Sequence, residues 1–137
     1  MNKKIVAVGA IAVIVAGVGA WFLPAQDEPA RSSQASTIVR LPDLEGAAAD
    51  GADLFAANCA VCHGENATGT DQGPPFVHRI YEPNHHADIA FQMAVQHGVR
   101  AHHWRFGNMP PVDGVNRAEV EKIVAYVRAL QRANGIE

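Results

Sequence analysis

Cysteine is scarce in this chain: two residues among 137, Cys59 and Cys62, and both fall in a single C-x-x-C. A zinc ribbon needs a second ligand pair, and no second C-x-x-C follows. Strand-like alternation of apolar and polar residues is also missing. A thioredoxin-type redox pair belongs in a βαβ setting, so this dithiol lacks the context for that chemistry. With no β-period run, the chain reads as all-α. Basic residues are few as well: Lys and Arg together number 11 against 14 acids, for a net charge of −3, which gives no case for nucleic acid as a partner.

What is present centres on Cys59-Ala60-Val61-Cys62-His63, the C-x-x-C-H spacing of c-type haem attachment. Two thiols on one helical turn can add to the two vinyl groups of a single haem. The histidine that follows then faces the iron as its proximal ligand. Cys59, Cys62 and His63 are therefore the primary candidates for binding one covalent haem c.

The N-terminus has a different character. Lys3 and Lys4 precede 19 uncharged residues, Ile5 to Leu23. As a helix they would extend roughly 28 Å, close to the thickness of a bilayer core. Trp21 and Phe22 would sit at the far interface, and the lysines would hold the N-terminus in the cytoplasm. Two readings compete for residues 1–23, a retained transmembrane anchor and a secretory signal peptide cleaved near Val18-Gly19-Ala20. The uninterrupted length favours the anchor. Either one exports the remainder.

Residues 24–45 are rich in Ala, Pro, Ser and Gln with little periodicity, and read as a flexible linker. For Ile38-Val39-Arg40-Leu41 the alternative reading is packing on the domain that follows. Residues 46–137 form that domain. It is small enough that a central haem would supply much of its apolar core.

Within the domain a first helix is expected over about Ala48 to Cys59, with Leu54 and Phe55 inward and Gly51 leaving room for a close helix crossing. A polar, Gly-rich loop then runs to Gly73-Pro74-Pro75-Phe76. A second helix is expected from Asp88, as N-cap, to His97, with Gly98 as its stop. Met93, at helical spacing, reads as core and not as a ligand. The last helix opens on Asn116 and Glu119 in the manner of a capping box. It carries Val120, Ile123, Val124, Val127 and Leu130 on one face.

Taken in order, these residues resemble a class I cytochrome c from about Gly51 to Leu130. Gly51 and Phe55 precede the haem motif as in that family's N-terminal helix. Gly73-Pro74 is similar to its Gly-Pro, Asn108-Met109-Pro110 to its Met-Pro, and Tyr126 to the aromatic of its closing helix. The resemblance implies a cytochrome c-like helical domain around haem c. It makes Met109 the distal iron ligand with His63, and the carbonyl of Pro74 the acceptor from the proximal imidazole. His/Met ligation raises the reduction potential, and a bond such as Pro74's fixes the ring. The function implied is one-electron transfer, not catalysis, at the periplasmic face of the bacterial cytoplasmic membrane. The partners implied are a quinol:cytochrome c oxidoreductase as donor and a terminal oxidase or other reductase as acceptor.

The chain departs from the family in its histidines. Besides His63 there are His78, His85, His86, His97, His102 and His103. Four of these form two adjacent pairs in loops, His85-His86 and His102-His103, and Arg100-Ala101-His102-His103-Trp104-Arg105-Phe106 lies just before Met109. The first reading places them on the surface or on the haem propionates, with Trp104 and Arg105 among the carboxylate donors. A second metal site is another reading, since imidazole suits copper, but it requires two segments to converge. In a third, His97, His102 or His103 replaces Met109 on iron. The family's lysine ring is absent too, since Lys122 is the only lysine after the apolar run. The functional alternatives are a haem-based small-ligand sensor or peroxidase-like enzyme with an open or weak sixth position, and a metal-handling assembly factor.

Overall fold

The computed structural model describes residues 38–137. The apolar run 5–23 and most of the expected linker lie outside the described residues. Among those described, no helix is long and apolar enough to cross a membrane.

Four helices carry the fold among the described residues: α1 (Ala47–Asn58), α2 (Ala60–His63), α3 (Asp88–His97) and α4 (Arg117–Ala133). The all-α expectation holds. Short 3-10 turns at Glu65–Ala67 and Arg79–Tyr81 punctuate the long connection between α2 and α3. The one departure from helix and loop among the described residues is an isolated antiparallel bridge joining Val99 to Met109.

α4 is the organising helix. Its start is fixed by the expected capping box: the Glu119 amide donates to Asn116 Oδ1 at 3.1 Å, and the Asn116 amide to Glu119 Oε2 at 2.8 Å. The apolar face expected of it, Val120, Ile123, Val124, Val127 and Leu130, is buried. α1 crosses this face at Gly51, where the backbones approach so closely that a Cβ would stand 1.9 Å from the Lys122 carbonyl oxygen. One turn on, Phe55 packs against Tyr126 with ring centroids 5.4 Å apart. The glycine and the aromatic pair thus set one crossing between them.

Two residues of α4's inner face are polar, and sequence reasoning passed over both. Arg128 and Gln131 are buried. Arg128 donates from Nε to Asp88 Oδ1 at 2.8 Å, from Nη1 to the Tyr81 carbonyl at 2.7 Å and Gln131 Oε1 at 2.6 Å, and from Nη2 to the His86 carbonyl. Gln131 Nε2 donates to the Phe76 and Tyr81 carbonyls at 2.9 Å. The pair straps the 76–88 connection onto α4 and supplies the hydrogen bonds that a buried guanidinium and amide require. The signal was in the register: Arg128 follows Val124 by four residues, and Gln131 follows Val127 by four.

Three expectations need correction. Asp88 is not the N-cap of α3. Ala87 occupies that position, and the Asp88 carboxylate is taken by Arg128. Met93 is not in the protein core: it is 50% exposed, and the buried residue of α3 is Phe91. The segment from residue 38 is the third. Val39 and Leu44 pack against the core, and Arg40 exchanges two backbone hydrogen bonds with the Asn134 side chain, at 2.8 and 2.9 Å. The packing alternative describes this stretch better than a free linker, although Ile38 remains 95% exposed.

Candidate functional site

Cys59, Cys62 and His63 are held by the tight junction of α1 and α2. The Cys59 amide still bonds the Phe55 carbonyl at 2.8 Å, and the His63 amide bonds the Cys59 carbonyl at 2.9 Å. Spacing of three and four residues along one turn puts the two thiols and the imidazole on one side of the chain. Neither cysteine is in a disulfide. Burial, and after it the neighbouring Cys62, push the Cys59 thiol up to about 11. At neutral pH it is a thiol and not the thiolate that disulfide-exchange chemistry needs.

His63 is buried, and its Nδ1 lies 2.9 Å from the Pro74 carbonyl oxygen. A carbonyl only accepts, so Nδ1 carries the proton and Nε2 keeps its lone pair. Burial holds this imidazole below the ordinary histidine pKa, while the Pro74 bond pulls the other way. The ring is thus oriented with its Nε2 lone pair available to a metal. Phe76 stacks on it with centroids 4.2 Å apart. The loop that delivers Pro74 is tied back to the haem motif, with the Gly69 amide on the His63 carbonyl at 2.6 Å and Thr70 Oγ1 on the Cys62 carbonyl at 2.5 Å.

Met109 comes from the far side of the domain. Its backbone is fixed by two 2.9 Å hydrogen bonds exchanged with Val99. Gly98, with φ 72°, makes this possible: a Cβ there would stand 2.5 Å from the Met109 carbonyl oxygen. The bridge closes a loop over residues 100–108, and Asn108 Oδ1 braces it by accepting from the Ala101 amide at 2.9 Å. Sequence reasoning missed this bridge.

Between the two sides lies a cavity of about 610 Å³, lined mainly by apolar groups. Cys59, Cys62, His63, Pro74, Trp104 and Met109 all line it. Arg105 does not; it is exposed on the same loop. Met93 and Phe91 of α3 line the cavity too, which explains why a methionine at a helical core position is half exposed. The volume lies within the range of cofactor pockets.

The chemistry of the lining fits haem. Two thiols, an imidazole with its Nε2 lone pair free and a thioether share a mainly apolar wall, as a covalently attached, axially ligated macrocycle requires, and His86, His97, His102 and His103 line it as well. Trp104 adds an independent sign: its indole Nε1 is buried with no acceptor in bonding geometry. The same indole is near enough to the Tyr81 hydroxyl to oppose the upward shift that burial imposes on that phenol. A buried N–H of this kind suits a propionate oxygen as its acceptor.

A model of the family described as cytochrome c matches residues 48–131. No curated protein and no solved structure matches the chain.

Proposed function

The chain belongs to the cytochrome c family, and from that premise we propose that it is a membrane-tethered electron carrier with His63 and Met109 as axial ligands. The covalent attachment motif of Cys59, Cys62 and His63 and the helical cytochrome c fold make it a haem c domain for one-electron transfer. Bound there, haem c supplies an Fe(III)/Fe(II) couple. The observation that carries the ligand assignment is that His63, with its proton held on Nδ1, and Met109, held by the Val99 bridge, line the same apolar cavity.

Each residue has a task in that reading. Cys59 and Cys62 keep the group from dissociating. The Pro74 carbonyl keeps the His63 ring in one tautomer and one orientation. The Met109 thioether is a soft sixth ligand that raises the potential and leaves no position for a substrate. Trp104, and Arg105 after a side-chain movement, serve the propionates. The apolar wall keeps water out, so little reorganises when the charge on iron changes.

Residues 5–23 are proposed as the anchor and 24–37 as the flexible part of the linker, with the haem domain on the periplasmic side. A tether raises the effective concentration of a carrier near membrane partners. A quinol:cytochrome c oxidoreductase as donor and a terminal oxidase or reductase as acceptor fit that placement. One lysine in the domain, Lys122, is paired with Asp50 at 2.7 Å, so docking through a broad lysine face is not part of the proposal.

The deciding experiment is the optical spectrum of the oxidised, haem-loaded protein beside that of Met109→Ala. A weak long-wavelength band from sulfur on ferric haem is expected in the parent and absent in the variant. A parent that lacks the band, or a variant that keeps it, removes Met109 from the iron. Intact mass of the membrane-extracted protein tests the anchor: residues 1–23 are retained if it is right, and a soluble chain starting near Trp21 overturns it.

A further inference from the structure

The four paired histidines of the two loops converge. His85 and His86 sit in a turn after the Arg79–Tyr81 segment, and His102 and His103 in the loop closed by the Val99–Met109 bridge. His85 Nε2 and His103 Nε2 lie 3.2 Å apart. One ring nitrogen from each of His85, His86 and His103 lies within 4.8 Å of the others. From these we propose that His85, His86 and His103 form a binding site for a divalent transition metal, copper before zinc, on the rim of the haem cavity.

The distances suit a metal. Two imidazole nitrogens on a tetrahedral ion at about 2.05 Å are about 3.3 Å apart. The His85–His103 separation is one such edge. The third nitrogen is further out and closes by rotation of partly exposed side chains. Adjacent residues rarely reach one ion, but here the amides of both His85 and His86 bond the Glu82 carbonyl, at 3.0 and 2.8 Å. That doubled turn brings the two rings to 4.8 Å between centroids.

The tautomer of His86 is also set. His86 Nδ1 lies 2.6 Å from the Ile80 carbonyl oxygen, so it carries the proton and Nε2 is free to ligate. A ring donating its other N–H to a backbone carbonyl is the usual support of a metal-bound histidine. His102 is oriented the same way by the Arg100 carbonyl at 2.8 Å, and its ring lies tilted against that of His103, with centroids 4.3 Å apart. It buttresses the site, and water completes the coordination. The chemistry is selective: three neutral imidazoles with no carboxylate favour Cu²⁺ or Zn²⁺ over Mg²⁺ or Ca²⁺, and Cu²⁺ binds more tightly than Zn²⁺ at such donors. The site touches the haem centre structurally, since His86 and His103 also line its cavity.

The test uses the full, haem-loaded chain, freed of metal with a chelator and titrated with Cu²⁺ and separately with Zn²⁺ by calorimetry. Electron paramagnetic resonance of the copper form reads nitrogen ligation. The expected result is one Cu²⁺ per chain with imidazole hyperfine structure, and tighter binding of Cu²⁺ than of Zn²⁺. His103→Gln, which can still hydrogen-bond to His85, and His85→Ala should each weaken binding by about tenfold or more. His97→Ala, outside the cluster, should bind as the parent does. Failure of the haem-loaded parent to take up copper overturns the proposal, because the histidines would then be engaged by the haem propionates or by one another. Variants at His85 and His103 that bind copper as tightly as the parent overturn it too.

Discussion

Gly51 and Lys122 fix the distance between α1 and α4: a Cβ on Gly51 would stand 1.9 Å from the Lys122 carbonyl oxygen and 2.5 Å from its carbon. The contact is backbone against side-chain space, so no rotamer change relieves it. Gly51→Ala must push the helices apart and loosen Phe55 from Tyr126. Overpacking of this kind costs about 1–3 kcal/mol, and more where backbone has to move. Denaturant unfolding of the haem-loaded variant should show that loss with the ferric ligand band retained, since Met109 is on another segment. An unchanged midpoint would mean that the helices do not cross this closely in solution.

Arg128 gives the second prediction. Its guanidinium serves Asp88, Gln131 and the carbonyls of Tyr81 and His86, with a ring of Phe91 5.2 Å below. Arg128→Met removes the donors to Asp88, Gln131 and the His86 carbonyl, while the Tyr81 carbonyl keeps the Gln131 amide. The expected cost is about 1.5–3 kcal/mol, that of hydrogen bonds from a charged group, because the Asp88 side chain left behind is 70% exposed. Gln131→Leu should cost less, since it withdraws only neutral bonds. Thermal unfolding of both variants gives the order. Arg128→Met milder than Gln131→Leu would place the strap's energy in the amide.

Much of this was legible from residue types. A capping box, an apolar face with helical period, and a glycine four residues before a phenylalanine name the α1–α4 pair. C-x-x-C-H names its cofactor because the chemistry tolerates few other spacings. The rest was set by tertiary partners. Asp88 looks like an N-cap until Arg128, 40 residues away, claims its carboxylate. Met93 looks like core because helical spacing marks a buried face without saying whether protein or cofactor covers it. The Val99–Met109 bridge involves two residues with no alternating run around them, so no strand pattern announces it. The meeting of His85 with His103 depends on how two irregular loops fold, which local sequence does not encode.

Gly98 tests how Met109 is positioned. Its φ of 72° suits glycine, and a Cβ would meet the Met109 carbonyl at 2.5 Å and Pro111 at 3.1 Å. Gly98→Ala should break the bridge to Val99 and free the Met109 loop while leaving the covalent attachment intact. The expected reading is a weaker long-wavelength band in the ferric protein and binding of carbon monoxide to the ferrous protein, which the parent resists. A variant with full ligand band and no carbon monoxide binding would show that the bridge is dispensable for placing the thioether.

The histidine cluster predicts how stability depends on pH in metal-free protein. His86 is held below the usual histidine value by burial first, against the Ile80 bond, and then by His85, His102 and Arg128. His103 is lowered by partial desolvation and by His102, His86 and His85. A histidine whose folded pKa lies below its unfolded one binds its proton more readily in the unfolded chain. Stability therefore rises with pH through this window and is lost as pH falls through the ordinary value of 6.5 toward the lowered folded values. Chelator-treated, haem-loaded protein should unfold at lower denaturant at pH 5.5 than at pH 7.5, and the double variant His86→Gln, His103→Gln should flatten that difference. The variant removes the two imidazoles that resist protonation without adding charge. An undiminished pH slope in it would assign the acid sensitivity to groups outside the cluster.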